Sequence, residues 1–183
     1  TGEPIFPVEG REVPQGAIEG DYVSKTQPFP TKPAPLNPTY FDPDKAFGFT
    51  FWDRGHCKRT AKKLRNEGLF TPPSLEGSIH YPSGVGGNNW GGPAIDPERN
   101  IMIVNTNNMA SLIVMVPRED CGKPLKELSI NKTQERFTNI ESNEGAPYCN
   151  LRSMGFFSPL GVPCTEPPWG TLTAVDLNTG EHL

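Results

Sequence analysis

Ile101-Met102-Ile103-Val104-Asn105 and Ser111-Leu112-Ile113-Val114-Met115-Val116, the second closed by Pro117, are short apolar runs around a polar link that includes Thr106, Asn107 and Asn108. Runs of this length, rich in Ile and Val and bounded by turn residues, read as buried strands rather than helices. Upstream, Gly92-Pro93-Ala94-Ile95-Asp96 leads into the turn Asp96-Pro97-Glu98-Arg99-Asn100. Ser78-Ile79-His80-Tyr81 reads as a further strand. Strand, turn and strand at this spacing predict a β-meander over 68–117. Downstream, Gly170-Thr171-Leu172-Thr173-Ala174-Val175-Asp176 predicts a strand running into the turn Asp176-Leu177-Asn178-Thr179-Gly180. There Asp176 can accept from turn amides and Gly180 can supply a positive φ. The pattern is that of a turn-rich, all-β protein.

Composition agrees. The 183 residues include 21 prolines and 19 glycines, roughly twice the usual combined share of about 12%. That frequency of proline excludes long helical bundles and coiled coils, and the glycines lack the three-residue period of a collagen. A formal net charge of −4 gives no reason to expect nucleic-acid binding. No apolar run is long enough to span a membrane. The length suits one domain or a piece of a larger one. The opening Thr1-Gly2-Glu3-Pro4 has neither an initiating Met nor the basic and apolar start of a signal peptide, and is read as a processed or excised fragment.

Residues 1–50 form a Pro-rich stretch in which prolines leave almost no room for a strand of ordinary length. An extended loop is expected, packing through Phe6, Tyr22, Phe29, Tyr40 and Phe41. Residues 52–67 are the helix candidate. Asp53 can cap it, Cys57, Ala61 and Leu64 make one apolar stripe, and Gly68 is a natural stop. Lys58, Arg59, Lys62, Lys63 and Arg65 occupy the other faces, read as a solvated surface rather than an anion site. Residues 118–158, rich in Asn, Glu and Ser, read as a long surface insertion. Residues 159–183 open the next sheet.

Candidate sites are few. The stretch from Tyr81 to Gly92 surrounds Trp90 with glycines. Glycine permits close backbone approach to a ligand, and Trp90 offers a flat stacking face. The Gly-Lys-Ser/Thr of a phosphate loop is missing. Asn105 ends a buried apolar strand, so its amide is either satisfied by turn groups or faces a ligand. His56, His80 and His182 lack metal-ligand spacing. Cys57, Cys121, Cys149 and Cys164 show no CxxC; they are either free buried thiols or disulfides, with three pairings open. A bridge between Cys121 and Cys149 would bracket the insertion. Asn131-Lys132-Thr133 fits a glycosylation sequon.

Several stretches together resemble the membrane-bound, PQQ-dependent quinoprotein dehydrogenases of the glucose/quinate/shikimate type. The similarity is carried by Val13-Pro14-Gln15-Gly16-Ala17 with Ser24-Lys25-Thr26-Gln27-Pro28-Phe29, by Glu67-Gly68-Leu69-Phe70-Thr71-Pro72-Pro73-Ser74, and by Trp90-Gly91-Gly92 with Asp96-Pro97-Glu98-Arg99. Ile103-Val104-Asn105 continues it, and Ser158-Pro159-Leu160-Gly161-Val162-Pro163-Cys164 with Pro167-Pro168-Trp169-Gly170 completes it. Only 118–157 diverges.

The resemblance implies an internal piece of an eight-bladed quinoprotein β-propeller: about two blades, as antiparallel meanders, with one short helix and long loops. It implies PQQ as cofactor, with Ca²⁺ or Mg²⁺ held by residues outside this chain. A sugar or polyol hydroxyl would be oxidised and electrons passed to ubiquinone, in a periplasmic parent anchored to the inner membrane. The catalytic base and metal ligands would precede Thr1, so the chain holds no catalytic residue and is inactive alone. By position Asn105 matches a PQQ-binding Asn of the family, while Asn89 and Trp90 would line the cofactor funnel. Trp169 would belong to packing between blades. Two other readings remain at this stage: a non-catalytic propeller that kept the scaffold, and a soluble quinoprotein alcohol dehydrogenase, a group without the Thr-Pro-Pro-Ser signature.

Overall fold

The apolar runs around Asn105 become β5 (Ile101–Asn107) and β6 (Ser111–Pro117) in the computed structural model, which describes residues 2–84, 87–88, 91–124, 127–128 and 139–183. The remaining strands are β1 (Val8–Glu12), β2 (Thr26–Pro30), β3 (Ser78–His80), β4 (Ala94–Asp96), β7 (Asn139–Glu141), β8 (Tyr148–Ser153) and β9 (Gly170–Asp176), with one α-helix, α1 (Phe51–Ala61). They form a ribbon β1-β2, a four-stranded sheet β3-β6-β8-β7 and a three-stranded sheet β4-β5-β9, all antiparallel.

The turn before β5 forms as its residues require. Asp96 Oδ1 accepts from the amides of Glu98 at 3.0 Å and Arg99 at 3.1 Å. The meander expected over 68–117 is divided, however. β4 and β5 pair as a hairpin, but β5 and β6 lie in different sheets. The link between them is fixed by its asparagines. Asn107 Oδ1 accepts from the Met109 amide at 2.9 Å, and Asn108 Nδ2 donates to the Pro168 carbonyl at 3.0 Å. These bonds direct β6 to β3 and β8 instead of folding it back on β5.

The core lies on one face of the four-stranded sheet. Leu112, Val114 and Val116 alternate with less buried neighbours along β6, and Cys149 and Leu151 do the same along β8. They share one buried cluster with Ile79, Phe41, Phe156 and the stripe Cys57, Ala61 and Leu64. Each large aliphatic side chain buried there contributes about 1.5–3 kcal/mol. The expected surface insertion at 118–158 is thus only partly one. Its end supplies β7 and β8, because Cys149, Leu151 and Ser153 recur at period two and meet the core.

The Pro-rich start also departs from expectation, since β1 and β2 pair in register from Val8↔Pro30 to Glu12↔Thr26. Thr31 N donates to Pro7 O at 2.9 Å and Val13 N to Lys25 O at 3.2 Å. Odd-numbered amides therefore point across the ladder, and Pro28 and Pro30 direct their missing donors to the open edge. Of the five aromatics assigned to packing there, Phe41 is buried and Phe29 meets Phe70 edge-on at 5.7 Å, while Tyr22 is exposed.

The helix is shorter than 52–67 and starts one cap earlier. Thr50 Oγ1, not Asp53, accepts from the Asp53 amide at 3.2 Å. Asp53 is fully buried inside the first turn, accepting from the amides of Phe49 at 3.1 Å and Leu160 at 3.3 Å. The helix stops at Ala61 because Arg65 is taken into β-type pairing: its N donates to Gly77 O and its O accepts from Ile79 N, at 2.8 and 2.9 Å.

Two disulfides form, Cys57–Cys164 and Cys121–Cys149, with Cα separations of 5.5 and 5.9 Å. The second is the bridge that brackets the insertion. The first ties α1 to the segment leading into β9.

Candidate functional site

β5 sorts its side chains by alternation. Val104 and Thr106 point inward, with Val175 of β9 buried beside them, and Thr106 Oγ1 meets Thr171 Oγ1 at 2.6 Å. Ile103 and Asn105 point to the other face, paired across β9 with Ala174 and Leu172. That face is open: Leu172 is 75% exposed and Ile103 42%.

The three asparagines of 105–108 have different fates. Asn107 is spent on the Met109 amide. Asn108 is buried and engaged at both ends of its amide, donating to Pro168 O and accepting from Asn37 Nδ2 at 2.9 Å. Asn105 is exposed, and its amide has no hydrogen-bond partner among the described residues. The backbone of Gly91 lies beside it; a Cβ built on Gly91 would sit 3.4 Å from Asn105 Oδ1. A free amide next to apolar Ile103 and Leu172 can accept up to two hydrogen bonds and donate two toward a flat polar ligand lying on this face.

Asn89 and Trp90, the other two candidate contacts, lie outside the described residues, as does the Asn131 sequon. Trp169 packs edge-on against Phe47 at 5.5 Å and donates from Nε1 to Thr165 O at 2.8 Å, holding the approach to β9. The basic helix faces are largely occupied within the chain. Lys58 and Lys62 reach Asp44 at 2.7 and 3.4 Å, and Arg65 reaches Glu67. Lys58, and then Lys62, hold the Asp44 carboxyl below its ordinary range. Among the described residues no group of three His, Cys, Asp or Glu side chains could hold a metal ion. Nor is any helix among them long and apolar enough to cross a membrane.

Comparison with known proteins defines the class. The family described as "PQQ: Glucose/ethanol/alcohol dehydrogenase, beta-propeller domain" matches residues 1–183, and the chain belongs to it. Within that family it is 35% identical to the quinoprotein glucose dehydrogenase of Escherichia coli (strain K12) and 37% identical to that of Gluconobacter oxydans (strain 621H), in each case over 99% of the chain. It is 31% identical, over 98% of the chain, to the quinate/shikimate dehydrogenase (quinone) of Acinetobacter baylyi. The chain spans 22%, 23% and 22% of these relatives' lengths, respectively. No solved structure matches it. The antiparallel sheets and the helix α1 thus form part of a β-propeller domain.

Proposed function

We propose that this chain is a cofactor-facing portion of a PQQ-dependent dehydrogenase that oxidises a hydroxyl group of a sugar or polyol. The observation that carries this is the unspent amide of Asn105, on an open sheet face of a PQQ-family propeller. The residues fit the group. PQQ is planar and rimmed by oxygens, and this face offers free amide donors, apolar flanks and the close backbone of Gly91. Asn105 would orient the cofactor, with Asn89 and Trp90 beside it. When bound, PQQ supplies the two-electron acceptor, and the protein positions and polarises.

Relatives named for glucose, quinate/shikimate and glycerol support a small polyhydroxylated substrate. The parent would lie in the periplasm, anchored to the inner membrane, and would pass electrons to ubiquinone. The catalytic base and the ligands for Ca²⁺ or Mg²⁺ would come from elsewhere in the parent. The test is reconstitution of the full-length protein with PQQ and Ca²⁺ or Mg²⁺, following reduction of a ubiquinone analogue with glucose, glycerol and quinate. PQQ-dependent turnover of one of them is expected. Tight PQQ binding without turnover of any would make the protein a binding module instead.

A further inference from the structure

The sheet that carries Asn105 is laced to the Pro-rich start by residues 32–37. Lys32 Nζ donates to Thr179 O at 2.9 Å in the turn after β9, and His182 Nε2 donates to Ala34 O at 3.2 Å. At the other end of the β5–β9 ladder, Asn37 Nδ2 donates to Asn107 O at 3.0 Å and to Asn108 Oδ1 at 2.9 Å. Pro33 and Pro35 restrict the backbone between these ties, so holding it costs little conformational entropy.

Asn37 is the tie that reaches the surroundings of Asn105. Asn107 lies two residues beyond Asn105 on the same strand, and therefore on the same face. Both of its backbone groups are held: its O accepts from Asn37, and its N donates to Gly87 O at 2.9 Å. Gly87 is in turn packed against the Asn37 carboxamide, and a Cβ built on Gly87 would collide with it. Four residues further on is Gly91, whose backbone lies beside the Asn105 amide. One half-buried side chain thus joins the end of β5 to the glycine segment, the two parts that frame Asn105. The joint has a rigid footing, because Asn108 is fixed independently by its bond to Pro168.

We propose that Asn37 is a positioning residue for the cofactor face: it holds Asn107 and Gly87 together and so sets the Asn105 amide against Gly91 before PQQ binds. This rests on the reading that Asn105 contacts PQQ. Without the clamp the amide is aligned for only a fraction of the time, and the apparent affinity falls by that fraction.

The test is a double-mutant cycle on the full-length protein, with PQQ affinity measured by fluorescence titration in the presence of Ca²⁺. Asn37→Ala is expected to raise the dissociation constant about fivefold, the equivalent of one hydrogen bond. In a protein already carrying Asn105→Ala, the same change is expected to raise it by less than about twofold, because the group it aligns is gone. A purely structural role would give the same factor in both backgrounds. Unchanged hydrogen exchange across 51–61 reports that the variants are folded. If Asn37→Ala is not, Gly87→Ala, whose methyl displaces the Asn37 carboxamide, takes its place in the cycle with the same expected factors. Equal factors in the two backgrounds, or unaltered affinity in a folded Asn37→Ala protein when Asn105→Ala does weaken binding, would overturn the proposal. Unaltered affinity in Asn105→Ala would instead overturn the reading beneath it, and the proposal with it.

Discussion

Removing the Cys57–Cys164 bridge, as Cys57→Ala with Cys164→Ala, tests how the parts of this fold are held together. The bridge closes 107 residues, and Cys121–Cys149 closes 28. Treating each as a constraint on the unfolded chain gives about 5 kcal/mol for the first and about 3.5 kcal/mol for the second. The structure adds a reason for the first to matter more. Cys57 and Cys164 are both fully buried in the central cluster, and around them Phe47 N donates to Cys164 O at 2.8 Å and Leu160 N to Asp53. Urea unfolding of the full-length protein, with each cysteine pair replaced in turn, measures both costs. The Cys57/Cys164 variant is expected to lose roughly 1 kcal/mol more than the Cys121/Cys149 variant. Hydrogen exchange should quicken in α1 and in 160–169 and stay unchanged in the β1-β2 ribbon. Equal or reversed costs, or loosening spread evenly over the chain, would refute the view that this bridge ties α1 to the approach of β9.

Asp53→Ala should cost about 2–4 kcal/mol, since it strands the amides of Phe49 and Leu160; Asp53→Asn, which keeps one acceptor oxygen, should cost less, and thermal unfolding of the two variants separates them. Stability should also fall on acidification through the action of His80. Burial lowers its pKa below the ordinary 6.5, so the unfolded chain binds the proton more readily; this stability is present above about pH 6.5 and is lost as pH falls toward the folded-state value. Unfolding midpoints at pH 7.5 and pH 5.5 should differ less in His80→Gln than in the unaltered protein.

Much of the fold was legible where one physical rule acted alone. The apolar runs at 101–105, 111–116 and 170–176 became strands, although 101–105, expected to be a buried strand, and 170–176 bury only one face. Gly180 adopts φ +72 in the turn where Asp176 Oδ1 accepts from Asn178 N at 2.7 Å, and its missing Cβ leaves room for Phe6 and Lys32. Where two rules competed, the pattern misled. Proline counts in 1–50 hid a ribbon whose prolines all fall on the outward phase. The polar composition of 118–158 hid the alternation of Tyr148-Cys149-Asn150-Leu151-Arg152-Ser153. Beyond the β4-β5 hairpin, strand partners were not written locally, since the separation of β5 from β6 depends on Asn108 reaching Pro168, far along the chain. Asn105, Asn107 and Asn108 look alike as a sequence, and only the pairing of side chains in space leaves Asn105 with an amide to spare. The tie from Asn37 had no sequence signal, because its partners Asn107 and Asn108 lie 70 and 71 residues along the chain.

The affinity of the full-length protein for PQQ, measured by fluorescence titration with Ca²⁺ present, tests the role of Asn105 most directly. If Asn105 contacts the cofactor, Asn105→Ala should raise the dissociation constant roughly 2- to 13-fold, the equivalent of one hydrogen bond at about 0.5–1.5 kcal/mol. Its thermal stability should stay unchanged, because the amide holds no other described group. Unaltered PQQ affinity and turnover in a folded Asn105→Ala protein would contradict the assignment.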